Sequence, residues 1–284
     1  MASPNDHASQ SIEDMLKNIN RDPISSKSKA LALRERMLPD SLPLHTAQLL
    51  YIEATAELFQ SDPESAGKKL IQGLKLISPP QDDIQRSLSL SIRISLGICS
   101  ISSCRYAKAV YQLLDVKELA VQRNDVYHYA YANIYLGRVY MLIGMHEKAQ
   151  KYLLAAKEAS KITEDAHQQG LVHLYLGGVL SADGSTDEAL THLHSSLDIF
   201  ESSQLAETPE VLLTVGTIYL HKQDYLRSEQ FLTIALDQAA SRGCIKTEIE
   251  TLHLLAKILH HKGLSADAIQ RLQQALEKAQ QCGL

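Results

Sequence analysis

The sequence has little of what most chemistry needs. Its four cysteines, Cys99, Cys104, Cys244 and Cys282, make no CxxC pair and no metal-ligand spacing. That reads against a disulfide framework and for a reduced, cytoplasmic setting. No basic run or stripe occurs, and 28 Lys and Arg against 33 Asp and Glu leave a net charge of −5. Nucleic acid is therefore not an expected partner, since binding to phosphate rests on clustered cations. No apolar run approaches the roughly 20 residues that span a bilayer. The first ten residues are polar and mixed, without the apolar core of a signal peptide, so no membrane insertion is expected. Glycine-rich phosphate loops, a GxSxG turn and an HExxH helix are all missing. The acidic pairs Asp82–Asp83 and Asp187–Glu188 fall at helix starts, where the macrodipole favours negative charge. No enzyme activity, cofactor or metal is expected.

Histidines give little more. His253 and His260, seven apart, share a helix face beside His261, but no Asp or Glu completes a tight site, and zinc wants three or four well-placed ligands. His192 and His194, two apart, cannot share a helix face.

What is present is a period. Gly97, Gly137, Gly177, Gly216 and Ala256 follow one another at steps of 40, 40, 39 and 40 residues. Twelve residues after each stands a small side chain (Ala109, Ala149, Ala189, Ser228, Ala268), and four further on a leucine (Leu113, Leu153, Leu193, Leu232, Leu272). A helix pair of this size cannot bury its apolar faces alone, so repeated pairs must stack. Glycine within a helix costs about 1 kcal/mol against alanine, and close approach of the paired helix is the expected reason for each registered glycine.

Helix pairs are expected over 44–78, 80–124, 125–164, 165–204, 205–243 and 244–283. Asp125 should cap the first helix of its pair, which runs to about Ile143; Gly144 breaks it and Glu147 begins the second. Ser185 or Thr186 should cap the second helix of the next pair, and Thr208 should cap ahead of Pro209. Residues 11–43 hold degenerate helices, roughly Ile12–Ile19 and Ser25–Leu38, and residues 1–10 are expected to be disordered.

The pattern resembles the tetratricopeptide repeat. Leu136–Gly137–Arg138–Val139–Tyr140 with Ala149, Leu153 and Ala156 matches best. Val215–Gly216–Thr217–Ile218–Tyr219 with Ser228, Leu232 and Ala235 follows closely. Leu180 and Leu259 replace the tyrosine elsewhere. The common unit has 34 residues; the longer unit here resembles the variety found in bacterial signalling regulators. The resemblance implies an all-α fold, a right-handed α-α superhelix of about six helix pairs plus an N-terminal degenerate pair, running as one solenoid over 44–284. It also implies a concave groove lined by first helices, with a protein or peptide bound along it.

In that register the groove candidates are Arg93, Tyr131, Ile134, Tyr135, Arg138, Met141, Leu174, Tyr175, Thr217 and His221. Leu213, Glu250 and His253 occupy similar places. Tyrosine suits recognition because it buries area while keeping a polar tip; the alternative for each tyrosine is packing between repeats. The family's clamp for C-terminal carboxylates is not matched, since Ile98, Gly178 and Thr217 stand where its cations and amides belong.

The register also runs to Gly283 and Leu284, where another first helix would begin, leaving Ile269, Leu272 and Leu276 at an open face. Two expectations follow. The chain is the N-terminal sensory segment of a longer signalling protein, with an output such as a GGDEF-type diguanylate cyclase, a kinase or a DNA-binding domain beyond it; or the open end forms a homodimer. A stand-alone peptide-responsive regulator and a scaffold subunit are the competing functions.

Overall fold

The computed structural model describes residues 4–36 and 42–281. Every regular element among them is an α-helix. The chain divides into two compact units, residues 1–168 and 169–284. The first holds the pairs α1 (Pro4–Asn18) and α2 (Pro23–Arg36), α3 (Pro43–Phe59) and α4 (Pro63–Leu76), α5 (Asp83–Ser102) and α6 (Tyr106–Gln122), and α7 (Val126–Leu142) and α8 (His146–Thr163). The second holds α9 (Ala166–Ala182), whose first turn belongs to the first unit, with α10 (Thr186–Ser202), then α11 (Thr208–His221) with α12 (Tyr225–Arg242), and α13 (Ile245–His261) with α14 (Ser265–Gln281).

Residues 4–10, expected to be disordered, are the start of α1. The reason lies downstream: Ile12, Met15 and Ile19 are buried against Ala30, Leu49 and Ile52, and Ser9 Oγ lies 3.1 Å from His45 Nε2 on α3. That anchoring extends the helix back by more than a turn. Leu38, Gly283 and Leu284 lie outside the described residues.

The registered glycines are where the two helices of a pair touch. A Cβ on Gly137 would fall 2.5 Å from Leu153 Cγ and 3.3 Å from the Ala149 carbonyl; on Gly177 or Gly216 it would fall 2.7 Å from the matching Leu193 or Leu232. The leucine four residues beyond the small side chain is therefore the knob that the glycine admits. Gly170, outside the register, opens space for the buried ring of Phe200.

A second contact recurs three residues after the glycine position, against a side chain twelve further on. Tyr140 stacks on Tyr152, Tyr219 stacks on Phe231, Ser100 Oγ donates to Gln112 Oε1 at 2.7 Å, and Lys69 pairs with Glu57. A cation eight residues after each tyrosine covers its other face, Lys148 over Tyr140 and Arg227 over Tyr219. Where Leu180 replaces the tyrosine, His192 turns instead to His173, ring nitrogens 3.2 Å apart.

Asp62, Asp82, Asp125 and Asp224 cap helices as N-terminal acceptors, each taking the backbone N–H three residues on. The hydroxyl caps differ from expectation. Ser185 holds the cap position of α10 without a side-chain bond, and Thr186 Oγ1 donates to the Gly184 carbonyl. Thr208 is buried, so its hydroxyl must find an acceptor; it donates to the Leu205 carbonyl at 3.0 Å, leaving Glu207 at the cap.

Charge is buried among α2, α3 and α4. Glu53 is fully enclosed and Glu57 nearly so. Arg34 lies 3.2 Å and Lys69 2.9 Å from Glu53, and Lys27 lies 3.4 Å from Glu57. Lys69 serves both carboxylates. Burial would lower its pKa, but the Glu57 and Glu53 carboxylates outweigh that and raise it.

Candidate functional site

In the first unit, the first helices bring the tyrosines together but bury them. Tyr131 and Tyr135 are each 8% exposed and Ile134 is fully enclosed. Tyr127 meets Tyr131 edge-on at 5.1 Å, Tyr131 stacks on Tyr135 at 6.4 Å, and Tyr131 Oη lies 2.7 Å from His167 Nδ1. Burial raises the Tyr131 pKa, so its phenol stays protonated, while Tyr127 at the edge of the cluster is 41% exposed. The tyrosines pack one first helix against the next. Arg138 and Met141 on α7 remain half-buried, as does Arg93 on α5, whose guanidinium reaches Asp115 at 3.0 Å.

The same layer contains a relay that sequence reading missed. Asp125 accepts the His128 backbone N–H at 3.0 Å and, through its second oxygen, meets His128 Nδ1 at 2.6 Å; His128 Nε2 lies 2.9 Å from Ser91 Oγ on α5. A carboxylate only accepts, so Nδ1 carries the proton and the neutral ring accepts from the serine through Nε2. The order Ser–His–Asp is that of acyl-transfer enzymes, where an oxyanion hole of free N–H groups must accompany it. Ser91 lies in the interior of a 20-residue helix, whose neighbouring N–H groups are committed to the helix itself. The relay ties α5 to α7. Its signal in the sequence, a serine 37 residues before a histidine, is too weak to find unaided. A Ser–His contact of the same kind, Ser9 with His45, joins α1 to α3.

In the second unit, Leu174 and Tyr175 are buried, Thr217 is half-buried and His221 is exposed. Thr217 and Leu213 on α11 form one wall of a pocket of about 580 Å³. Ile249, Glu250 and His253 on α13 form the second wall, and Leu272 and Leu276 on α14 the third. The volume falls in the range of small-molecule and peptide side-chain sites, roughly 300–1,000 Å³. The α11 and α13 walls come from inner first-helix positions; the α14 wall comes from the residues expected to be an open face. Its leucines are 43% and 58% exposed. Glu250 carries the single formal charge among the lining residues, with Lys246 at 3.8 Å. Among the described residues no three His, Cys, Asp or Glu side chains converge as metal ligands, and no helix is long and apolar enough to cross a membrane.

Helix pairs locked by glycine, a small residue and leucine at one register define a tetratricopeptide-type helical-repeat protein. Solved structures agree on the fold. The Rap conjugation gene regulator of the plasmid pLS20 in complex with the Phr* peptide is similar at a TM-score of 0.74 and 15% identity, covering 92% of this chain and 70% of that one. NprR in complex with its cognate peptide NprX gives 0.61 and 15%, over 96% and 78%. A signal-transduction ATPase with numerous domains and a tetratricopeptide repeat sensor, from Pyrococcus horikoshii, gives 0.62 and 19%, over 90% and 40%. No protein-family model matches the chain, and no curated protein matches it.

Proposed function

We propose that this chain is a cytoplasmic peptide-binding regulatory module with no chemistry of its own, its ligand anchored in the pocket formed by α11, α13 and α14. The observation that carries the reading is the pocket: apolar walls from inner first-helix positions, one carboxylate and room for several side chains. Pockets that bind are mostly apolar with a few placed polar groups. The two similar structures that hold peptides support this choice over a scaffold role. The likeness to a protein with a tetratricopeptide repeat sensor favours a second form of the same reading, a sensory segment serving an output domain.

The test is thermal. Pools of synthetic penta- to octapeptides are titrated against the purified chain. A bound peptide raises the melting temperature with concentration, because it stabilises only the folded state. Thr217→Arg and Leu276→Arg, which project a charged chain into the lining, should abolish the shift and leave the unliganded melting temperature within about 2 °C. If no pool shifts the wild-type chain, or the shift survives both variants, the reading fails.

A further inference from the structure

The second helices of the first unit share a feature that stacking does not explain. One residue beyond the registered leucine (Leu70, Leu113 and Leu153) stand Ile71 on α4, Leu114 on α6 and Leu154 on α8, which are 48%, 39% and 47% exposed. In the second unit the same position is also exposed, yet it holds His194, Thr233 and Gln273. The repeat therefore needs no apolar side chain there, and the aliphatic row belongs to this unit rather than to the fold. Three residues before the row stand Lys68, Tyr111 and Lys151; three or four after it stand Lys75, Lys117 and Lys157. Residues so spaced are neighbours on a helix surface, so the row is fenced by cations on both sides. The string shows no basic run because the six positions come from three helices. Charge divides along the same line. Helices α4, α6 and α8 carry nine lysines against five acids, a net +4, whereas α10, α12 and α14 carry four basic residues against eight acids, a net −4. Three of those five acids are already engaged, Glu64 by Lys68, Asp115 by Arg93 and Glu158 by Lys161. Among the described residues Lys75, Lys151 and Lys157 make no ion pair.

From this we infer that the outer face of α4, α6 and α8 docks an acidic amphipathic helix of a partner protein, its apolar stripe on Ile71, Leu114 and Leu154 and its Asp and Glu on the two lysine rows. The partner's form follows from the surface. The described residues form helices only, so no strand edge offers backbone groups to an extended segment, and an apolar stripe with flanking charge is the helical mode of recognition. The aliphatic row removes partner hydrocarbon from water, while the lysines select the sign of its charge and speed its approach. Exposed Glu118 and Glu147 interrupt the basic fringe. A phosphate-lined surface, whether lipid or nucleic acid, would be repelled at both, whereas a protein helix can place a neutral or basic residue opposite them. The face lies on helices that contribute nothing to the pocket of α11, α13 and α14, so it goes beyond the peptide-binding reading and does not depend on it.

The experiment is affinity selection on the immobilised full chain from a library of synthetic alanine-based helices of about 18 residues, roughly 27 Å long, whose other positions are drawn from Leu, Glu, Lys and Gln. The expected result is enrichment of Leu at helical spacing with Glu on both sides of the stripe. Affinity of a selected helix should fall as salt rises from about 0.05 to about 0.5 M. Leu114→Glu with Leu154→Glu should weaken it by about tenfold or more, and so should Lys151→Glu with Lys157→Glu. His194→Glu makes the same kind of change at the matching position of the second unit and should leave binding intact. Melting temperatures of the three variants confirm that each is folded. A library from which nothing is retained, or retained helices that bind both double variants as well as the wild type, overturns the inference. So does co-sedimentation of the chain with phosphatidylserine–phosphatidylcholine vesicles that is lost with Leu114→Glu and Leu154→Glu, since the face would then belong to lipid. None of these outcomes bears on the pocket, which is tested by Thr217→Arg and Leu276→Arg.

Discussion

Tyr140 and Tyr152 lie face to face, their rings parallel and their centroids 5.3 Å apart, across the two helices of one repeat. The slot they share is filled by an ion pair in the first regular repeat (Glu57 with Lys69), by a hydrogen bond in the second (Ser100 with Gln112) and by a Tyr–Phe stack further on (Tyr219 with Phe231). One geometry thus accepts three chemistries beside a glycine or, in the Glu57–Lys69 repeat, Ala54. The tyrosine of the repeat pattern is one solution for the slot rather than a requirement. Lys117 closes the outer face of Tyr152 at 4.9 Å and Lys148 that of Tyr140 at 5.5 Å.

Tyr140→Ala and Tyr152→Ala should therefore be non-additive. A double-mutant cycle by urea unfolding should give a coupling of about 0.5–1.5 kcal/mol, the range for stacked aromatic pairs. Strictly additive losses would mean that the rings contribute only their separate burial.

Gly137→Ala places a methyl group 2.5 Å from Leu153 Cγ. The cost should be about 1–3 kcal/mol, as for other overpacked cores, despite the better helix propensity of alanine. In a Leu153→Ala background the same methyl enters vacated space, and the substitution should turn neutral or stabilising. A cost that persists in that background would locate the strain in the Ala149 carbonyl, 3.3 Å away, rather than in the leucine.

These contacts explain how much the sequence disclosed. Glycine, small residue and leucine recur because helix separation must recur, so the helix pairing and the close approach at Gly137 are legible in the string. The charge inside the pair over 44–78 is not, since Glu53 and Glu57 look like surface residues in a string and only the fold surrounds them with Arg34, Lys27 and Lys69. Tyr131 and Tyr135 have the register of groove residues, but register does not say how closely one first helix approaches the next, and here they pack together. Spacing puts Leu213, Thr217, Glu250 and His253 among the groove candidates, and all four line the pocket between α11, α13 and α14. The α14 wall is not legible in this way, because a stripe such as Ile269, Leu272 and Leu276 looks the same whether it covers a core or lines a cavity. One consequence is practical: Tyr131→Ala removes a buried ring bonded to His167 and would damage the fold, so Arg138→Ala alone is the fair probe of the α7 surface.

The relay of Asp125, His128 and Ser91 makes a prediction about acid. Burial holds the His128 pKa below its ordinary value, against the pull of the Asp125 carboxylate. The folded chain thus keeps the ring neutral, while the unfolded chain takes up a proton below about pH 6.5. The unfolded state binds more protons in that window, so stability falls as pH drops through 6.5 toward the folded pKa. His128→Asn can still donate to the carboxylate and accept from the serine, yet it does not titrate. Its melting temperature should fall less between pH 7.5 and 5.5 than that of the wild type. Asp125→Asn removes the opposing charge and should steepen the fall; parallel curves for all three proteins would show that His128 does not govern acid stability.

Lys69 is the cation shared by Glu53 and Glu57, and its removal leaves two enclosed carboxylates with only Arg34 and Lys27 nearby. Lys69→Met keeps the aliphatic length and loses the charge, so the expected cost is about 3–5 kcal/mol, the range for breaking a buried pair from one side. Replacing all three residues together, with Glu53→Leu and Glu57→Gln, should recover most of that loss, since the penalty comes from stranded charge and not from missing attraction. The direction of the pKa shift adds an alkaline limit. Lys69 is raised in the folded chain, so its contribution is complete below its unfolded pKa of about 10.4 and disappears as pH climbs through the folded value. Wild type and Lys69→Met should therefore converge in urea midpoint above that pH and differ most near neutrality. A gap that stays constant from pH 7 to 11 would mean that the methionine side chain packs poorly there, and that the charge of Lys69 is not what holds α4 to α3.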